Sequence, residues 1–350
     1  MLAADRLAAR LNVVQCMTKE TSPMTDTTRR TFLGAMGAAA AKAAPRGSKV
    51  QGNTTEKCLF WVAACTPCDK NLKFDEAYYR DMMAYFKDQG ADGVVVTGTT
   101  GEYPSFSMAE RKKIQETALK HRAGLTSMIV STGTSNFPET IELARHAEDN
   151  GADGLLVIPP FYYKKVPTEG LVRYYSMLFD QVRIAINLYH IPGTSGVPIS
   201  HELLRALQHY PNLAGIKDSN GPADEYADFV KAFPDLNMRT GTENNLEYAL
   251  EHGMGAICMD GNVYTRPLAA VFEAFRSGKD YHAAYANYRA MTKVMRDLQT
   301  GVDGYGPMKY ALSIQMGGPQ TYQRPPFVDV TEAQKLALNK GIGQIKAMMG

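Results

Sequence analysis

The chain has 350 residues, a formal net charge of +2 and 45% hydrophobic residues. That is enough apolar side chain for a large core, and the length allows two or three average domains or one α/β barrel with an appendage. The near-neutral balance argues against a nucleic-acid or anionic-membrane partner, and the absence of any run of about 18 apolar residues argues against a membrane span.

Residues 1–47 read differently from the rest. The stretch "TTRRTFLGAMGAAAAKAAPRG" joins a twin arginine (Arg29, Arg30) to Phe32-Leu33 and a weakly apolar Ala/Gly run, and Ala41-Lys42-Ala43 offers a small-x-small cleavage site. This resembles a bacterial twin-arginine export signal, a receptor-read address that is not part of the fold. It predicts an exported, periplasmic protein. The alternatives are a cytoplasmic protein with a disordered Ala-rich tail, or a transit peptide, against which Asp5, Glu20 and Asp26 weigh. Met24 leaves residues 1–23 as either an extended leader or a misassigned start.

From Cys58 onward, short β-rich runs alternate with amphipathic helical stretches. The strands are "LFWVAAC", "GVVVTG", "SMIVSTG", "GLLVIPP", "RIAINLY", "LAGIKD", "LNMRTG" and "GAICMDG". Helical segments such as "FDEAYYRDMMAYFKDQG" and "MAERKKIQETALKHR" lie between them, with Asp75 and Ser107 as N-caps and Gly90 and Gly151 as terminators. "GADG" recurs at 90–93 and 151–154, marking one αβ turn used twice. Eight apolar strands, buried on both faces, predict a parallel (β/α)8 barrel over 57–262. A doubly wound open sheet is the alternative, but "ACTPCDKN" after the first strand is not a glycine-rich phosphate turn. Residues 263–350 are helical in pattern and form a C-terminal extension.

The five cysteines do not make a disulfide framework in a domain of this size. Cys16 falls in the leader, and Cys58 and Cys258 read as small apolar strand residues. "CTPC" (Cys65, Cys68) has redox-motif spacing but precedes no helix N-terminus, so a packing role is expected, with a disulfide after export as the alternative. No second Cys pair or His-rich cluster suggests zinc.

The sixth strand, in "NLAGIKDSNG", ends on a lysine. A buried ammonium is costly, so Lys217 either pairs with a carboxylate such as Asp218 or carries an amine meant to react. Catalytic groups of a barrel project from the C-terminal ends of its strands. Those ends hold a lysine for imine formation, tyrosines with phenol protons, and the glycine-flanked threonines of "TGTTGE" as donors for a carboxylate.

Together "GTTGE", "YHIPGTSG" and "GIKDSNG" resemble the three signatures of the dihydrodipicolinate synthase/N-acetylneuraminate lyase family of pyruvate-dependent class I aldolases, over roughly residues 57–345. The resemblance implies roles for individual residues. Lys217 would form a Schiff base with a 2-oxo acid, Tyr189 would be the general acid/base over it, and Thr99 would relay protons to Tyr189. Thr100 would seat the 2-oxo acid's carboxylate, with its own N–H and that of Thr99, and Ile257 would offer backbone beside the pyruvyl group. Tyr163, in "PPFYYKKVPTEG", matches a tyrosine lent across a dimer interface, so a dimer or a dimer of dimers (a homotetramer) is expected. No metal or organic cofactor is expected.

The pattern also departs from the family. Where members that condense aspartate semialdehyde carry an arginine, this chain has Thr194, followed by Ser195. The "GxDE" stretch of the sugar-acid branch reads Gly241-Thr242-Glu243-Asn244, its serine near the eighth strand reads Met259, and His190 replaces an asparagine. Glu243, Asn244, Asp260 and Ser195 suit a polar acceptor. The expected activity is reversible aldol cleavage of a 2-oxo acid, a 2-keto-3-deoxy sugar acid among the candidates, to pyruvate and an aldehyde. A dehydratase or synthase using the same imine, or a low-turnover exported 2-oxo-acid-binding protein, are the alternatives.

Overall fold

The computed structural model describes residues 57–298 and 305–349, so the leader with Cys16 lies outside the described residues. Eight parallel strands close into a barrel in chain order, β1 (Phe60–Ala63), β2 (Gly93–Val96), β3 (Ser127–Ser131), β4 (Gly154–Val157), β5 (Ala185–His190), β6 (Leu213–Asp218), β7 (Asn237–Thr240) and β8 (Ala256–Cys258), with β8 hydrogen-bonded back to β1. Helices α1 (Glu76–Asp88), α2 (Met108–Lys120), α3 (Phe137–Asp149), α4 (Thr168–Phe179), α5 (His201–Leu207), α6 (Ala223–Ala232) and α7 (Leu246–Glu251) form the crossovers. Two apolar clusters follow from strand alternation. One fills the layer between strands and helices, and a smaller one, including Trp61, Val95, Ile129, Leu156, Tyr189 and Ile257, fills the barrel itself.

Local chemistry sets the boundaries as the sequence predicts. The Asp75 carboxylate caps α1 by accepting from the Tyr78 N–H at 2.9 Å, and Ser107 and Glu110 form a reciprocal capping box on α2. The two "GADG" turns are built alike. Gly90 and Gly151 adopt φ of 91° and 82° past their helices. The following aspartates each accept a strand N–H and an arginine: Asp92 from Phe60 (2.9 Å) and Arg276 (2.6 Å), Asp153 from Met128 (2.7 Å) and Arg122 (2.6 Å).

One boundary differs from the sequence reading. Helix α8 (Thr265–Arg276) follows β8 and packs beside β1, so it closes the eighth βα unit, although the expected barrel ended at residue 262. The extension begins with α9 (His282–Leu298), which lies against α8 and α11 (Glu332–Met349), while α10 (Gly306–Met316) packs on α11. Among the described residues, no helix is long and apolar enough to cross a membrane. Cys65 and Cys68 are buried free thiols, and burial pushes the Cys65 thiol up to about 12, which fits packing rather than redox chemistry.

Candidate active site

Tyr189 on β5 and Lys217 on β6 are register partners, and both point into the barrel. Their exposures are 4% and 6%, and the lysine ammonium stands 4.5 Å from the tyrosine ring centroid. Alternation turns the next residues, His190 and Asp218, to the outer face. The pairing of Lys217 with Asp218 is therefore absent, and the Asp218 carboxylate instead accepts the Asn220 N–H at 2.7 Å. Lys217 makes no salt bridge among the described residues, so its amine has no ion pair to break before attacking a carbonyl. Gly241, just past β7, makes room for it: a Cβ there would lie 3.0 Å from Lys217 Cε and would collide with Ser219 Oγ.

The "GTTGE" turn brings Thr99 and Thr100 to the same end of the barrel. Thr100 is buried, and the Thr99 hydroxyl is buried without a hydrogen-bond partner among the described residues, free for a ligand. Ile257 is fully buried on the inner face of β8. Tyr163, by contrast, is 70% exposed, its ring edge-on to Tyr162 with centroids 5.3 Å apart, whereas Tyr189 is buried.

The acceptor-side residues need revision. Ser195 does not face the barrel mouth: its fully buried hydroxyl donates to Val197 O at 2.9 Å and accepts the Val197 N–H at 3.1 Å, so it folds its own loop. Thr194 beside it is exposed. Glu243 is claimed by two arginines of α9, Arg296 at 2.6 Å and Arg289 at 3.7 Å. Asp260 accepts the Tyr288 hydroxyl at 3.1 Å, and its carboxyl is raised above the usual range by burial and by nearby Glu243. Tyr288, Arg289 and Arg296 escape sequence reading because nothing local links α9 to the strand ends. Lys164, an exposed residue, donates to Phe161 O (2.5 Å) and Ser195 O (2.9 Å) and joins the two loops. Tyr103 was also missed. It lies in the inner cluster with Tyr189, under the guanidinium of buried Arg111 at 4.8 Å.

A closed parallel barrel with a buried lysine held against a tyrosine at the strand ends is an architecture that suits Schiff-base chemistry. The chain belongs to the Dihydrodipicolinate synthetase family, which matches residues 59–345. It is 34% identical over 270 residues to an uncharacterized DapA-like lyase of Chloroflexus aurantiacus (76% of this chain, 89% of that one). It is 33% identical over 295 residues to the 4-hydroxy-tetrahydrodipicolinate synthase of Methylobacterium radiotolerans (83% and 93%). The chloride-inhibited dihydrodipicolinate synthase of Acinetobacter baumannii, solved with pyruvate, superposes with a TM-score of 0.75 at 25% identity, over 83% of this chain and 99% of that one. The protein is thus, in general terms, a pyruvate-dependent lyase.

Proposed function

We propose that the protein reversibly cleaves a 2-oxo acid to pyruvate and an aldehyde through an imine on Lys217. The single observation carrying this reading is the buried Lys217 amine set against Tyr189 without a carboxylate partner among the described residues. The amine attacks C2 of the 2-oxo acid, water leaves, and the iminium becomes an electron sink. Tyr189, having given its proton to the departing hydroxyl as that water formed, takes the proton of the C4 hydroxyl. The C3–C4 pair then flows toward the iminium nitrogen, and aldehyde and enamine separate. Protonation of C3 by Tyr189 and hydrolysis of the imine by one water release pyruvate and restore the amine. Thr99 passes protons to Tyr189, and Thr100 with the turn's N–H groups holds the carboxylate. The partner chain's Tyr163 completes the relay in a dimer or dimer of dimers, which its exposure in the single chain supports.

A 2-keto-3-deoxy sugar acid is the substrate class proposed. The exposed Thr194, where an arginine would hold aspartate semialdehyde, speaks against a dihydrodipicolinate-type synthase. Export through the twin-arginine leader is the companion proposal, tested by the intact mass of protein from its host. The function is tested by incubation with pyruvate and borohydride, with mass spectrometry locating the adduct, followed by a pyruvate-release screen of 2-oxo acids. A stable adduct on Lys217 with turnover supports the lyase. An adduct without turnover on any substrate supports a binding protein, and no adduct removes the imine.

A further inference from the structure

The turn that carries Thr99 and Thr100 is strained at both ends. Thr97 has φ 52° and Glu102 φ 53°, left-handed values that cost a non-glycine residue free energy and persist only where the surroundings over-determine them. At the Thr97 end the restraint comes from within the barrel, since its hydroxyl donates to Ser131 O at 2.9 Å. In the middle, the Thr66 hydroxyl donates to Gly101 O at 2.9 Å. At the Glu102 end the restraint comes from the C-terminal extension. The Glu102 carboxylate, fully buried, meets the equally buried ammonium of Lys309 on α10 and accepts the Arg324 N–H at 3.0 Å. Lys309 also donates to Tyr322 O at 2.7 Å. Arg324 in turn reaches Leu72 O (2.9 Å), Ser105 O (2.7 Å) and the Glu110 carboxylate (2.6 Å), on either side of the turn.

A buried ion pair is a poor source of stability, because desolvation cancels most of its attraction; its better-attested use is to fix one arrangement. We infer that Glu102 and Lys309 are a positioning pair: through them α10 sets the backbone of the Thr99–Glu102 turn, and so the geometry with which Thr99 and Thr100 receive a 2-oxo acid's carboxylate. Neither residue touches substrate. The extension is therefore part of the site, and losing the pair weakens pyruvate capture before it affects the chemistry at Lys217. This inference rests on the imine reading above.

The test is the pyruvate concentration that half-saturates borohydride labelling of Lys217, with the melting temperature measured alongside. Glu102→Gln, Lys309→Met and the double variant are compared with the wild type. The double variant leaves no uncompensated buried charge, so it is the one most able to fold. Each variant is expected to raise half-saturation about tenfold, as the displaced turn loses one of its own N–H or hydroxyl contacts to the carboxylate, while labelling at saturation is kept. The double variant should be no worse than the weaker single, because the two side chains act as one unit. Glu102→Asp, which keeps the charge but shortens one arm by a methylene, is expected to shift half-saturation in the same direction and gives the reading if the others do not fold. Half-saturation within twofold of wild type in the folded variants, with only melting lowered, overturns the inference. No labelling of the wild type at any pyruvate concentration would instead sink the imine reading itself.

Discussion

Lys217 and Tyr189 face each other across neighbouring strands at one register, the ammonium 4.5 Å from the ring centroid. The ring alone shapes the pocket around the amine, whereas only the hydroxyl can move a proton. Tyr189→Phe should therefore keep borohydride labelling of Lys217 and cut turnover by about a hundredfold or more, as for a lost general acid/base. Steady-state kinetics on a cleaved 2-oxo acid checks it, and unchanged turnover would remove Tyr189 from the mechanism.

Gly241 is needed for space. Alanine there would drive a methyl into Ser219 Oγ, which must swing aside, and would crowd Lys217 Cε at 3.0 Å, a contact relieved by a few tenths of an ångström. Gly241→Ala should slow imine formation severalfold, since even a small misplacement of a reacting group costs alignment. The initial rate of labelling measures this. A wild-type rate would mean that Ser219 alone gives way.

His190 should make the fold sensitive to acid. Burial pushes its imidazole down to about 4, with Nδ1 accepting the Ile199 N–H at 3.0 Å, while in the unfolded chain it titrates near 6.5. A depressed group contributes stability that is present above pH 6.5 and lost as pH falls through 4, here up to about 3 kcal/mol. Asp218, across the strand pair, is raised to about 6 by burial and works the other way, its contribution present below pH 3.8 and lost as pH rises through 6. In urea unfolding, His190→Asn should gain on wild type between pH 7.5 and 4.5. Asp218→Asn should gain on it as pH rises over the same span. Parallel pH profiles would contradict both assignments.

Tyr163 offers a test of assembly. A residue 70% exposed in one chain contributes little to that chain's stability, so Tyr163→Phe should leave melting unchanged. If the partner chain completes the relay, the same change lowers turnover about tenfold or more, and a forced monomer loses activity. Sedimentation showing a fully active monomer would defeat the shared relay.

Much of this protein was legible in the sequence because the signals are local. Strand runs buried on both faces, separated by capped helices and a repeated "GADG" turn, leave few options besides a closed parallel barrel. The strand ends then name Lys217, Tyr189 and the threonine turn as candidates. Period-two alternation also decides that Lys217 and Asp218 face opposite ways, so their pairing could have been set aside on that ground alone.

The remaining relationships join segments far apart in the chain. Ser195 looked like a ligand group until its loop closed on Val197, and Glu243 and Asp260 looked free until α9 brought Arg296, Arg289 and Tyr288 to them. Lys309, one charge in an apolar helix, acquired a purpose only when α10 packed it against Glu102. Periodicity and turn chemistry specify elements because they act over a few neighbouring residues. Which polar groups meet at the barrel mouth depends on how the extension docks, and that packing is set by the whole core at once.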